Sequence, residues 1–103
     1  MQIICESKPL LAALNAVSKI VDPRSAMPAF SLALLSFDDS TKTVRVSGKS
    51  HDCAMTRAVT AEDVEECGAF MVEPRDLASR VSACGTASVR LVVDGTKLSV
   101  FAQ

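Results

Sequence analysis

The chain alternates between two hydrophobic rhythms, and the switch points between them mark out its elements. Residues 2–6 (QIICE) read as a short strand. Ser7 stands where a helix N-cap belongs, and Pro9 is tolerated in a first turn, where its missing N–H would have no partner. From about residue 8 to 21, Leu10, Leu14, Val17 and Val21 recur at i, i+4, i+7 and i+11, one stripe of an amphipathic helix. Asp22-Pro23 ends it, because a residue before proline avoids the helical region. The connection over 24–28 leads into an apolar strand at about 30–37. A turn at 38–41 (DDST) precedes a returning strand at 43–47 (TVRVS), which alternates cleanly. After a second turn at 48–52, residues 53–60 (CAMTRAVT) predict a third strand. Cys53, Met55 and Val59 share one parity there, and Arg57 breaks it. Residues 61–68 (AEDVEECG) read as an acidic connection.

The order then restarts. Residues 69–73 (AFMVE) predict a strand, and Pro74 opens a second helix with Leu77, Val81 and Cys84 at i, i+4 and i+7. Gly85 stops it as a glycine just past a helix end does. Residues 88–93 (SVRLVV) are a strand, Asp94-Gly95 is a hairpin turn, and 97–101 returns. The chain is thus one α+β domain over residues 1–103. A β-α-β-β-β unit spans about 1–60, and a second unit of β-α-β-β order spans about 69–103. The second unit lacks a third strand after its helix. An unpaired final edge is an aggregation hazard, so the chain reads as a piece of something longer.

Charge adds a direction to this outline. With 49% hydrophobic and 22% charged residues, the sequence has an ordinary globular balance. Its longest apolar run, 30–37, falls far short of the roughly 20 residues of a membrane span. The start shows no basic segment followed by an apolar one, so the expected setting is cytoplasmic, without a membrane partner. A net charge of −1 excludes a uniformly basic nucleic-acid coater. The absence of Trp and Tyr argues against base-stacking platforms. The bases nevertheless concentrate. Lys8, Ala12, Asn15 and Lys19 form the stripe opposite the apolar one on the first helix, and Arg24 follows it. The second helix exposes Arg75, Ser79 and Ser82, with Arg80 spaced to pair with Asp76. Five of the eleven bases therefore lie on or beside the helices, whereas Glu62, Asp63, Glu65 and Glu66 cluster in the connection. If the helices lie side by side on one sheet face, they present a mildly basic surface. Such a surface neutralises phosphates without reading bases.

Other chemistry finds little support. Cys5, Cys53, Cys67 and Cys84 have no CxxC spacing, and the sequence reads them as reduced, buried thiols acting as small apolar residues. His51-x-Cys53 alone is too little for a zinc site, and no nucleophile-elbow, phosphate-loop or metalloprotease motif is present. No catalytic, metal or cofactor site is expected, and the chain is not expected to be an enzyme.

The run MQIICESKPLLAALNAVSKIVDPRSAMPAFSLALLSF resembles the opening of the bacterial sliding clamp, the DNA polymerase III beta subunit. The resemblance rests on the first strand, the helix with Leu10-Leu11 and Val17-Ser18, Arg24 ahead of Met27-Pro28, and the apolar strand. FMVEPRDLASRVSACG is similar to that family's second helix with its preceding strand, and SVRLVVDGTKLSV to the hairpin after it. The resemblance covers essentially the whole chain and implies the N-terminal domain, short of its last strand. The implied DNA-clamp fold has two β-α-β-β-β units, the second incomplete here, with both helices on one face of antiparallel sheets. It implies a processivity factor without catalytic activity, in which two protomers close a ring around duplex DNA. DNA polymerase III and the clamp loader are the implied partners of the full-length protein, which is a homodimer. The pocket for polymerase peptides lies between the other two domains of that family, outside this chain.

By the same resemblance Arg24 matches a basic residue at the inner rim of the ring, and Arg75 a basic position at the start of the second helix. Ala12, Asp76 and Lys49-Ser50 depart from the family pattern, and the first two lower the positive charge. The DNA-facing set is thus Arg24, Arg75, Lys19, Lys8, Arg80 and Asn15. A different reading makes the chain a stand-alone α+β interaction module whose Lys8/Asn15/Lys19 stripe docks an acidic protein surface. A third makes it an enzyme or redox protein using His51 and a cysteine.

Overall fold

The first strand runs directly into the first helix, and that junction sets the geometry of the rest. In the computed structural model, which describes residues 1–103, β1 (Gln2–Glu6) is followed without a gap by α1 (Ser7–Ser18). Ser7 is not the cap. The extended residue Glu6 holds that position, with no side-chain capping bond. Ser7 is buried, its hydroxyl donates to the Thr86 carbonyl at 2.7 Å, and its N–H donates to Ala87 O at 2.8 Å. A buried hydroxyl needs a partner, and the chain entering the sixth strand supplies one.

The apolar stripe of α1 is buried as its spacing predicts: Leu10, Leu14 and Val17 are fully covered. The helix ends at Ser18, three residues short of Val21. There the Ser18 hydroxyl bonds back to the Asn15 carbonyl at 2.8 Å, and tighter turn bonds from Lys19 and Ile20 replace the helical ladder. Val21 still reaches the core from this turn. A further difference lies at α2 (Pro28–Ser31), a single turn where a strand is expected from residue 30. Pro28 presets a helical φ at its first position and carries no N–H to leave unpaired. Strand β2 therefore begins only at Ala33 (Ala33–Asp38).

β3 (Thr43–Lys49) returns from a turn in which the Asp38 carboxylate accepts the hydroxyl and the N–H of Ser40. Those bonds hold the carboxyl of Asp38 below its ordinary value. β4 spans Ala54–Val64, so the supposed acidic connection is mostly strand. Its first part pairs with β3 out to Thr43↔Thr60. Its last part pairs with β1 through Cys5↔Ala61 and Ile3↔Val64, with a register shift at Ile4/Cys5. Ala61 and Val64 are buried, and only residues 65–67 remain as connection. The cause is the demand of β1 for a partner, which the local acidic composition does not reveal.

β5 (Gly68–Val72), α3 (Pro74–Cys84), β6 (Ser88–Asp94) and β7 (Lys97–Ala102) complete the chain. Gly85 takes the left-handed φ of 65° that stops α3, and Gly95 (φ 63°) makes the β6–β7 turn. The strand order is β5-β2-β3-β4-β1-β6-β7, antiparallel throughout. Pairing crosses between the two halves of the chain: β1 joins β6, and β5 joins β2. The sheet curls around a core that includes Ile3, Leu35, Val44, Val46 and Leu91, with α1 and α3 on the same side. No helix is long and apolar enough to cross a membrane.

One close approach locks α1 onto the sheet. A Cβ at Gly48 of β3 would lie 2.5 Å from a Val17 methyl and 2.8 Å from a Val21 methyl. Gly48→Ala is expected to destabilise the fold by about 1–3 kcal/mol, because both neighbours are buried and branched. Gly68→Ala meets only the flexible end of Met1 and should cost less. Urea unfolding of the two variants checks the order; equal midpoints would refute the packing argument.

Candidate functional site

The bases that the sequence singles out are all exposed, and the two helices carry most of them. Around α1 each residue turns 100°, so its four sides meet different surroundings. Leu10, Leu14 and Val17 face the sheet. Leu11 and Asn15 line a groove against Arg75, Ala78, Ser79 and Ser82 of α3. Lys8 and Lys19 stand on the crest, near opposite ends of the helix.

Arg75 fixes the relation of the helices. Its Nη2 donates to the Ser18 carbonyl at the C-terminal end of α1, while its own N–H and that of Asp76 donate to the Glu73 carboxylate at 3.2 and 2.9 Å. The start of α3 therefore meets the end of α1, and the helices run antiparallel. The guanidinium satisfies a carbonyl that no helical N–H reaches, at the negative end of the α1 dipole.

The structure sorts the six predicted residues. Asn15 and Arg75 share the interhelical groove. Arg80 is paired with Asp76 at 3.1 Å, and Arg75 lies 3.9 Å from Glu73, so the bases of α3 are partly neutralised. Lys8, Lys19 and Arg24 have no ion-pair partner. Arg24 sits on the connection beyond α1, where its N–H donates to the Asp22 carboxylate at 3.0 Å. The acids are less segregated than the sequence suggests: Glu6 and Glu62 line the same hollow as Lys8. One base outside the predicted set also lies on the helix side of the sheet. Arg57 borders α1 opposite α3, and the only signal for it was the parity it breaks.

The thiols differ from expectation. All four are free, but only Cys5 is buried; Cys53 and Cys67 are exposed and Cys84 is half-buried. Cys53 falls in the turn before β4 and Cys67 in the turn after it, so neither side chain reaches a packed strand face. His51 packs its ring on Phe30, with centroids 4.7 Å apart. No three His, Cys, Asp or Glu side chains gather closely enough to hold a metal ion.

The family model for the DNA polymerase III beta subunit, N-terminal domain, matches residues 1–103. The chain belongs to this family. No curated protein matches it significantly. Among solved structures it is similar to the sliding clamp of Pseudomonas aeruginosa bound to griselimycin, with 24% identity and a TM-score of 0.88. That match covers 100% of this chain and 28% of the other. The Caulobacter crescentus beta subunit gives 24% identity and a TM-score of 0.86 over 100% of this chain and 27% of that one. The Helicobacter pylori beta clamp bound to a DNA ligase peptide gives 15% and 0.87, over 97% and 27%. At these identities the likeness is one of fold, the DNA-clamp fold. The chain spans about 27% of the length of these clamps.

Burial raises the Cys5 thiol from 9.0 to about 12, with Glu62 and Glu6 adding to the shift. Below pH 9 the thiol is neutral whether the chain is folded or not, so its contribution to stability is complete. From pH 9 to 12 the unfolded chain ionises first, and that contribution is lost at up to about 1.4 kcal/mol per pH unit. Cys5→Ala should remove this component. Subtracting the two stability–pH profiles isolates it, and a flat difference across pH 9–12 would contradict the shift.

Proposed function

We propose that this chain serves as the domain of a sliding clamp that lines a ring around duplex DNA, holding it through sequence-independent phosphate contacts. The observation that carries this reading is the antiparallel α1–α3 pair on one face of the sheet. It carries Lys8, Lys19 and Arg75 with Asn15 between them, and Arg24 follows on the connection beyond α1. Arg24 is the principal contact, and Arg75 and Arg80, each already engaged by a carboxylate or a backbone carbonyl, are weaker ones. Scattered cations on long side chains attract a phosphate backbone without committing to base edges, so the DNA keeps its freedom to translate. The domain itself catalyses nothing in this reading. Processivity follows from topology, with the full-length protein acting as a homodimer ring in the cytoplasm, loaded by a clamp loader and tethering DNA polymerase III.

Affinity should be modest. Four phosphate contacts correspond to a slope of roughly −3.6 in log K against log salt. Binding of the chain to unrelated duplexes, titrated over a range of salt, tests this directly. The expected result is equal affinity for all sequences and a steep salt dependence. A Lys8→Ala/Lys19→Ala/Arg24→Ala variant should lower the slope by about 2–3. Arg80→Ala should change it little, because Asp76 already engages that guanidinium. Salt-independent binding, or binding that distinguishes sequences strongly, would refute the reading.

A further inference from the structure

Arg57 occupies a position that the strand pattern assigns to the core. It alternates with Met55 and Val59, and its cross-strand neighbour Val46 is fully buried on the helix side. Directly paired residues of antiparallel strands share a face, so Arg57 faces the helices too. Yet it is exposed, because the neighbouring flank of α1 is built from small side chains. Ala12, Ala13 and Ala16 line the hollow with it, together with Pro9, Ala58 and Val59. The hollow contains no acid, and Arg57 has no ion-pair partner.

Its place relative to the other bases gives this arrangement meaning. α3 lies on the Leu11/Asn15 flank of α1, and Arg57 lies on the Ala12/Ala16 flank. The crest with Lys8 and Lys19 runs between them. The positive surface therefore has three rows: Arg75 on α3, the α1 crest, and Arg57 on β4. The alanines that deprive α1 of charge also leave the guanidinium uncovered.

We propose that Arg57 is a phosphate-contacting residue, a strand-borne cation that extends the nucleic-acid face past α1 on the side away from α3. The inference rests on the proposed DNA-binding role and adds a position to it. A guanidinium suits the task because its planar donors match two phosphate oxygens at once.

Arg57→Ala and Arg57→Gln, measured on the full chain with duplex DNA, test it against Arg45→Ala. Arg45 lies between buried Val44 and Val46 on β3, is exposed, and points to the opposite side of the sheet. The expected result is that both Arg57 variants weaken binding equally for all sequences and lower the salt slope by about 1. Arg45→Ala should leave both quantities unchanged, and circular dichroism should show all three variants folded. Unchanged binding in both Arg57 variants, alongside a loss in the Lys8/Lys19/Arg24 variant, would overturn this inference and leave the proposed function standing. An equal loss in Arg45→Ala would also overturn it, by showing an effect of net charge alone. If the unmodified chain binds no duplex, the proposed function and this inference both fall.

Discussion

The fold depends on one continuous strand. β4 pairs with β3 over its first seven residues and with β1 over its last four, and no other strand joins the two parts of the sheet. Were it to end at Thr60, β1, β6 and β7 would have no hydrogen-bonded link to β2, β3 and β5. The register shift at Ile4/Cys5 is the local adjustment that lets a single strand serve both partners. Because β1 is held there, α1 leaves it at a set angle and lands on β3 and β4. Gly48 then admits Val17 and Val21 at a distance that no Cβ would permit.

That placement, together with the pairing of β1 with β6 and β5 with β2, puts both helices on one face. The helices can then share a groove, and Arg75 can reach the end of α1. The bases consequently fall into two kinds. Arg75 and Arg80 are engaged by backbone or carboxylate groups and shape the helical pair; Lys8, Lys19, Arg24 and Arg57 carry unpaired charge outward. A net charge of −1 conceals this arrangement, because the acids lie largely on turns, on β4 and at the helix starts. For the field at a surface, how the charge is distributed matters more than its sum.

Local signals were legible wherever local physics decides. The stripe of Leu10, Leu14 and Val17, the glycine stop at Gly85 and the Asp94-Gly95 turn all stand as their residues predict. Where a distant partner decides, the pattern misled. Ser7 looks like a cap because serine often caps, but Thr86 and Ala87, almost eighty positions away, bind it instead. The 61–64 stretch looks like a loop because it is acidic, but β1 requires it as a strand. Cys53 looks buried because its neighbours alternate, but the strand begins one residue later.

The candidate surface divides along the same line. Residue spacing alone determined which side of each helix is apolar and which carries Lys8, Asn15, Lys19 and Arg75, because the period of a helix is a local property. The family resemblance was equally legible, since it rests on the order of residues. Only the tertiary structure decided that the helices lie antiparallel, that α3's bases are half-neutralised, and that Glu62 comes beside Lys8. It also decided that Arg57 joins the basic face. These facts depend on which strands pair across the sheet, and pairing is set by the summed burial and hydrogen bonding of segments far apart in the chain.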